Sequence, residues 1–170
     1  MKGVGSEILV GLTRGETRKR APAAARGDWT LVSIASSRRG LTPVQLQKSL
    51  YLLGQAFPVE LGPDFYKFRS INAGHFSQEI YADAEYLAKQ GLVLIEVSEQ
   101  EGWQHYSATT AGIIRARVLE ENLSPLVLQR LRRVVEWARN RSIDQLGRGR
   151  LDSPEFLALN SPDSRPVGPR

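Results

Sequence analysis

Two runs of β-forming residues around a short polar segment constrain the fold of this chain more than any other feature. Residues 92–97 (LVLIEV) and 103–107 (WQHYS) are rich in β-branched and aromatic side chains, and residues 98–102 (SEQEG) between them are polar and end in glycine. Such a pattern is typical of a β-hairpin. The segment therefore predicts two antiparallel strands joined by a glycine-containing loop.

A helical pattern leads directly into this hairpin. Ser77 is a suitable helix N-cap and Gly91 a typical helix stop, so we expect a helix between them. Four apolar residues recur with the helical period and predict its buried face: Ile80, Ala84, Leu87 and Ala88. Three carboxylates are expected on its solvated surface: Glu79, Asp83 and Glu85.

Two further helices are expected upstream. The first begins with Asp28 as its N-cap and ends by Gly40. The second has a stronger start signal, because Thr42 suits the N-cap and Pro43 suits the first helical position. Lys48 is expected on its wet face. The buried stripe of this second helix consists of Leu46, Leu50, Leu53 and Phe57.

The connection between the second and third helices is long for a helix-turn-helix, whose turn has about 3–4 residues. It covers about residues 58–76, with a turn at residues 62–64 (GPD). The aromatic residues that follow predict a short strand over residues 65–71, broken by residues 72–74 (NAG). We interpret the connection as an insertion that carries its own strand.

Two more helices are expected after the hairpin. Thr109 and Thr110 cap a helix over roughly residues 111–122, and Ser124 with Pro125 starts another. The order of elements predicts a mainly α fold with a small β component. It corresponds to a winged helix-turn-helix core, in which the hairpin is the wing, with additional C-terminal helices.

The composition of the two ends sets the expected domain limits. Residues 1–27 are basic and rich in glycine, with no apolar period, and are expected to form a disordered N-terminal arm. Residues 147–170 are expected to be an irregular tail. The winged-helix domain with its C-terminal helices is therefore assigned to residues 28–146.

The composition also narrows the chemistry. With no cysteine, the chain lacks thiolate metal sites, a disulfide framework and a thiol nucleophile. His75 and His105 are not spaced as metal ligands, and no glycine-rich phosphate loop is present. We therefore expect no enzyme activity, no metal and no cofactor. No apolar run approaches the ~18 residues of a membrane span, so we expect a cytoplasmic protein without a membrane partner.

Several segments resemble a known group of proteins. Residues 41–52 (LTPVQLQKSLYL) are similar to the LQKLLYL opening of the YwgA-like and Panacea-type winged-helix families. Residues 65–69 (FYKFR) resemble their aromatic strand, and residues 74–77 (GHFS) the turn that follows it. The helix end and the C-terminal motif of one branch are matched by residues 87–93, 154–156 and 160–161.

The resemblance implies a winged-helix fold over about residues 29–161. In these families some members are DNA-binding regulators, and Panacea-type domains act as antitoxins that hold partner proteins. His75 and Ser153 stand where the families have proline and tyrosine. The resemblance thus implies a fold and two classes of function.

The net charge of +5 and the pI near 9.8 suggest a nucleic-acid partner, but the charge is unevenly distributed. Residues 1–27 and 111–170 each carry +4, whereas residues 28–110 carry six basic and nine acidic residues and so −3. The part that would read DNA is the acidic part. The positive net charge therefore predicts only a non-specific attraction of nucleic acid to residues 1–27 and 111–170.

The first functional hypothesis is a winged-helix DNA-binding protein, a transcription regulator that contacts double-stranded DNA. The third helix would enter the major groove, while cations elsewhere would contact phosphates. In this hypothesis Gln78 and Ser77 read base edges. The candidate nucleic-acid-binding residues are Arg38, Arg39, Lys48, Lys67, Arg69, Ser77, Gln78 and Lys89.

The alternative hypothesis is a protein-interaction module of antitoxin or adaptor type, without direct DNA readout. Tyr86 lies away from the apolar side of the third helix, and Trp103 lies at the start of the second hairpin strand. An exposed aromatic at such positions is more typical of a protein contact than of base stacking. A partner protein or a homodimer is compatible with this interpretation.

Overall fold

The computed structural model describes residues 24–72 and 74–148, with side chains as far as Leu146. Within these ranges the chain is mainly helical and has two β-hairpins, which confirms the predicted mainly α class. The helices are α1 (Arg26–Ser36), α2 (Pro43–Ala56), α3 (Pro58–Leu61), α4 (Gln78–Lys89), α5 (Thr110–Glu120), α6 (Pro125–Arg139) and α7 (Ile143–Arg148). The strands are β1 (Arg69–Ile71), β2 (Gly74–Phe76), β3 (Val93–Val97) and β4 (Gln104–Ala108).

Helix α2 begins where the sequence predicts, whereas α1 begins earlier. The Thr42 hydroxyl accepts a hydrogen bond from the Gln45 amide (3.3 Å), and the Gln45 side chain accepts one from the Thr42 amide (2.9 Å), which forms a capping box. Helix α1 starts at Arg26, and the Asp28 carboxylate bonds the Ala25 amide (2.9 Å) from inside the first turn. The predicted N-cap was therefore wrong, because an acidic side chain can also satisfy a free amide from the first turn.

Helix α1 is the centre of the hydrophobic core. It packs against α2, α4, α5, α6 and β4, so that its polar residues Thr30 and Ser33 are also fully buried. The Ser33 hydroxyl donates to the carbonyl of Trp29 (2.7 Å), which satisfies it without water. The fully buried core side chains include Leu31, Val32, Ile34, Leu41, Leu46, Leu50, Leu53, Ile80 and Leu131.

Helix α2 is buried on more of its surface than its apolar stripe predicts. Tyr51 and Leu52 form a second small cluster with Val134 of α6. Lys48 and Ser49, which lie off the stripe, are buried as well. The expectation of a wet face at Lys48 was wrong, because β2, α6 and α7 all pack against this helix.

The hairpin after α4 is confirmed, and its register is set by Ile95 opposite Tyr106. Leu41, between α1 and α2, bridges the other edge of β4: its amide donates to the Tyr106 carbonyl (2.9 Å), and the Tyr106 amide donates to the Leu41 carbonyl (2.8 Å). Gly40 enters this bridge at φ +75°, and a Cβ there would lie 2.7 Å from the Tyr106 carbonyl oxygen. Across the sheet the order is thus Leu41, β4, β3.

The insertion after α2 forms a hairpin instead of one broken strand. Phe65 and Tyr66 bury their rings in the core, so the strand begins only at Arg69. Residues 74–77, expected as a turn, contain β2, which pairs with β1 so that Arg69 lies opposite Phe76. The sequence did not predict this strand, because three residues, one of them a glycine, are too few to show the alternating pattern of a strand.

Helices α5 and α6 start within one residue of the predicted positions, whereas α7 was not predicted. Thr109 caps α5 by accepting a hydrogen bond from the Gly112 amide (3.0 Å), and α6 begins at Pro125. Helix α7 continues to residue 148, two residues past the expected domain end at 146, and Leu146 is buried. The rest of the expected arm and tail, residues 1–23 and 149–170, lies outside the described residues. Among the helices that are described, none has the length and apolar character to cross a membrane.

Candidate functional site

Most of the predicted nucleic-acid contacts are exposed, but they lie on separate elements. Gln78 and Lys89 occupy opposite ends of α4, about 16 Å apart at 1.5 Å per residue. The guanidinium of Arg69 on β1 lies 6.0 Å from the ring centre of Phe76, the residue opposite it on β2. The exposed members of the predicted set are Arg38, Arg39, Lys67, Arg69, Gln78 and Lys89.

Lys48 does not lie on an outer surface. Lys48 is only 8% exposed, and its Nζ lies 5.8 Å from the ring centre of Tyr51. Burial lowers the pKa of Lys48 because the charged ammonium is removed from water. The uniform phosphate contact predicted for Lys48 is therefore not available in this conformation.

Ser77 is also inaccessible, at 2% exposed. Gln47 of α2 holds its backbone from both sides: its amide nitrogen donates to the Ser77 carbonyl (2.7 Å), and its amide oxygen accepts from the Ser77 N–H (3.0 Å). The Ser77 hydroxyl is buried, with no hydrogen-bond partner in the described part of the chain. Ser77 thus anchors the start of α4 to α2, and the prediction that it reads base edges was wrong.

The acidic surface of α4 is partly neutralised by Arg26, which the sequence assigns to the N-terminal arm. Arg26 Nη1 lies 2.9 Å from Glu79 Oε1, and Arg26 Nε lies 2.9 Å from Asp83 Oδ2. The hydrogen bond to Asp83 raises the pKa of Arg26. Two of the three carboxylates counted as solvated are therefore paired, and Glu85 is left beside the exposed cation Lys89.

Tyr66 extends this network into the core. Its hydroxyl donates to Asp83 Oδ2 (2.6 Å) and is hydrogen-bonded to the Thr30 hydroxyl. Burial, followed by the hydrogen bond to Asp83, raises the pKa of Tyr66 well above its ordinary value. The cluster of Arg26, Asp83, Tyr66 and Thr30 fixes α4 and the insertion against α1, which is a structural role.

The two histidines occupy different environments. The His75 ring stacks on Tyr51, with 3.9 Å between ring centres and an angle of 11°. Burial, and then the charge of Lys48, lowers the pKa of His75. His105 Nε2 lies 3.2 Å from Glu101 Oε2 at the hairpin tip. Across the described ranges no three His, Asp or Glu residues are grouped so as to hold a metal ion.

Two cavities flank the stacked pair Tyr51 and His75. The larger, of about 470 Å³, lies between α2 and the segment from Leu61 to Phe68. The smaller, of about 200 Å³, lies between α2, β2 and α7 and is lined by Lys48 and Tyr81 among others. The lining of the smaller cavity also includes His75, so three titratable side chains, Lys48, His75 and Tyr81, border it.

The hairpin β3–β4 presents large apolar side chains among carboxylates. Trp103 is 53% exposed, Val97 63% and Leu94 47%; on α4, Tyr86 is 61% exposed. Because Glu96 pairs with His105, the side chains of Leu94, Glu96 and Trp103 lie on one face of the hairpin. Residues 90–109 contain three glutamates, at positions 96, 99 and 101, and no lysine or arginine.

Comparison with known proteins gives no relatives for this arrangement: no family model, no curated protein and no solved structure matches the chain.

Proposed function

We propose that this chain is a winged-helix domain that binds a protein partner through the β3–β4 hairpin and the outward face of α4. The topology supports the winged-helix assignment. Leu41, β4 and β3 are ordered as in a three-stranded wing sheet, and α1, α2 and α4 precede the hairpin in the expected sequence. The resemblance of residues 41–52 to the YwgA-like and Panacea-type families is in keeping with it.

The observation that carries the proposal is the chemistry of the hairpin. Exposed Trp103 and Leu94 lie on the same face of the hairpin as Glu96. Glu99 and Glu101 lie at its tip, and residues 90–109 contain no lysine or arginine. Phosphates would repel these carboxylates, whereas an interface with aromatic anchors and a charged rim favours a protein. The complementary partner surface is apolar at its centre and carries lysine or arginine at its rim.

Tyr86 extends this surface onto α4. It is largely exposed in the outward face of the helix, and α4 leads through residues 90–92 into β3. Burial of a tyrosine ring at an interface stabilises a complex strongly at low cost in side-chain entropy. We therefore assign Tyr86 and Trp103 as the two aromatic anchors.

A DNA-binding regulator is the second candidate, and the ion pairs of Arg26 favour it. Because Glu79 and Asp83 are paired, the outward face of α4 repels phosphates less than its sequence implies. Gln78 at the start of α4 is exposed and would reach base edges, and Arg38, Arg39 and Lys89 would contact phosphates. The acidic hairpin opposes this candidate.

Site-specific photo-crosslinking tests the proposal. A photoreactive amino acid replaces Trp103 or Tyr86 of the full chain in its native cell, and Leu126, 61% exposed on α6, serves as the matched control position. The expected result is one protein crosslinked from positions 103 and 86 and not from 126. The purified partner should bind the wild-type chain, and Trp103→Ala should weaken binding about tenfold or more, the cost of an interface anchor.

Two results would contradict the proposal that the hairpin binds a protein. If positions 103 and 86 crosslink no protein beyond the control, the proposal fails. Tight binding of duplex DNA by the full chain, with sequence preference relaxed by Gln78→Ala and overall affinity lowered by Arg39→Ala, would establish the DNA-binding candidate in its place.

A further inference from the structure

The outer edge of β3 offers a row of backbone groups. Tyr106 uses both its N–H and its C=O on Leu41, so these groups point away from β3. In an antiparallel ladder such a residue forms a non-hydrogen-bonded pair with the residue opposite, here Ile95. The N–H and C=O of Ile95 therefore point away from β4, toward the free side of β3.

The neighbouring residue pairs of β3 and β4 show the same alternation of inward and outward backbone groups. The Ser98 amide donates to the Trp103 carbonyl (2.9 Å), and the Thr109 amide donates to the Leu92 carbonyl (3.1 Å), so the even-numbered residues of β3 bond inward. With the two-residue period of a strand, Val93 and Val97 point their amides and carbonyls outward together with Ile95. No backbone hydrogen bond within residues 24–72 and 74–148 reaches these outward groups.

Natural edge strands are protected by charged side chains, above all lysine, by proline, by a bulge or by a covering segment. The sequence of β3, VLIEV, has no lysine or proline, and its pairing with β4 has no bulge. Its one charged residue, Glu96, disfavours an acidic strand and favours a basic one. Val97 and Leu94 beside this edge are about half exposed or more. The edge thus has the properties of a template for one more strand.

We infer that an extended segment of the partner protein adds as a strand to the outer edge of β3, with lysine or arginine on the face of Glu96 and aliphatic side chains on the opposite face, beside Ile95 and Val97. Main-chain hydrogen bonds to Ile95 and Val97 would supply affinity, while Glu96 with Glu99 and Glu101 at the tip would select basic side chains. This inference rests on the proposed function and specifies how the partner docks.

A second copy of the chain is a poorer occupant. Antiparallel pairing of β3 with itself centred on Ile95 would make the two Glu96 residues diagonal neighbours, about 7–8 Å apart. Pairing centred on Glu96 would place the two carboxylates directly opposite each other, which is destabilising. Charge complementarity therefore favours a basic partner strand.

Binding of a defined peptide to the full chain tests the inference. The probe is a labelled ten-residue peptide of alternating lysine and valine, and the control peptide has glutamate for lysine. Val97→Pro removes an outward amide without removing a bond to β4, whereas Val97→Ala removes the side chain and keeps the amide. We expect Val97→Pro to weaken lysine-peptide binding about fivefold or more, as for one lost hydrogen bond, and Val97→Ala to have a smaller effect.

Residue-resolved hydrogen exchange locates the contact. In the free chain the amides of Ile95 and Val97 should exchange much faster than those of Leu94 and Glu96, and the lysine peptide should slow the exchange of both. If Val97→Pro does not fold, Glu96→Lys supplies the test, because it should reduce the preference for the lysine peptide. Equal binding of the two peptides by the wild-type chain, or peptide binding without protection of Ile95 and Val97, would overturn the inference.

Protection of Ile95 and Val97 before peptide is added would also overturn it. Protection that is lost on dilution would assign the edge to a second copy, and protection that persists would assign it to a segment of the same chain. If the partner crosslinked through Trp103 binds Val97→Pro as tightly as wild type, the edge inference fails and the proposed function stands. If no protein crosslinks through Trp103, the proposed function fails.

Discussion

Arg26 Nε, at the start of α1, lies 2.9 Å from Asp83 Oδ2 in α4, and the same guanidinium reaches Glu79. Arg26, which the sequence assigns to a basic arm, therefore lies against α4 and pairs with two of its carboxylates. The pair is part-buried, and the Asp83 carboxylate also accepts a hydrogen bond from the Tyr66 hydroxyl. The orientation of α4 against α1 depends on this cluster as well as on apolar packing.

Arg26→Ala should destabilise the fold because it leaves Asp83 part-buried without its cation. We expect the free energy of unfolding to fall by about 1–2 kcal/mol, less than for a fully buried pair, since both partners are partly in contact with water. Urea unfolding of the full chain measures this change. Arg38→Ala, in an exposed loop, is the matched control, with an expected change within about 0.5 kcal/mol. Equal effects of the two substitutions would contradict the role of Arg26.

Tyr66→Phe removes one hydroxyl that bridges Thr30 and Asp83. Because both partners lose a hydrogen bond in a site with little water, the free energy of unfolding should fall by about 1–3 kcal/mol. The control is Tyr86→Phe, since the Tyr86 ring is exposed, and it should leave the unfolding midpoint unchanged. A Tyr66→Phe protein as stable as wild type would show that the hydroxyl network contributes nothing.

Gly40→Ala should disrupt the bridge between Leu41 and β4. The new Cβ would lie 2.7 Å from the Tyr106 carbonyl oxygen, and the backbone has φ +75°. Gly91, just after the end of α4, has a similar φ of +72°, but a Cβ there would meet nothing within 4 Å, so Gly91→Ala isolates the cost of the backbone conformation. We expect Gly91→Ala to cost about 1 kcal/mol, as for an L-residue in the left-handed region, and Gly40→Ala to cost clearly more in urea unfolding. Equal costs would mean that the sheet yields to the added methyl group.

His75 should make stability depend on pH in the acid range. Its pKa in the folded chain is below the ordinary value of 6.5, because burial and Lys48 disfavour the charged ring. The unfolded chain therefore binds the proton more readily, so stability is greatest above pH 6.5 and falls as the pH decreases through that value. Urea midpoints between pH 8 and pH 5 measure this slope, which His75→Gln should reduce. A slope that His75→Gln does not alter would assign the dependence to other groups.

The elements that the sequence predicts correctly are those with local signals. The capping residues Thr42 and Thr109, the Pro125 start and the β-forming runs around residues 98–102 each act within a few residues of the chain. These signals were sufficient for the class of fold and for the position of the hairpin.

The errors concern contacts between residues far apart in sequence. Lys48 is buried because α6, α7 and β2 meet around α2, and Ser77 is buried because Gln47 binds its backbone across 30 positions. Helical periodicity reports one buried face and contains no information about later elements that cover the other faces. The pairing of Arg26 with Asp83 was missed for the same reason.

The affinity of the chain for the partner crosslinked through Trp103 tests the proposed function most directly. The measurement compares the wild-type dissociation constant with that of a triple variant, Glu96→Gln, Glu99→Gln and Glu101→Gln, at low and at moderate salt. We predict about tenfold weaker binding by the triple variant at low salt, from three charge pairs of about 0.5 kcal/mol each, with a smaller difference at moderate salt. Unchanged or tighter binding by the triple variant would contradict the assignment of the acidic hairpin as the surface that binds a basic protein.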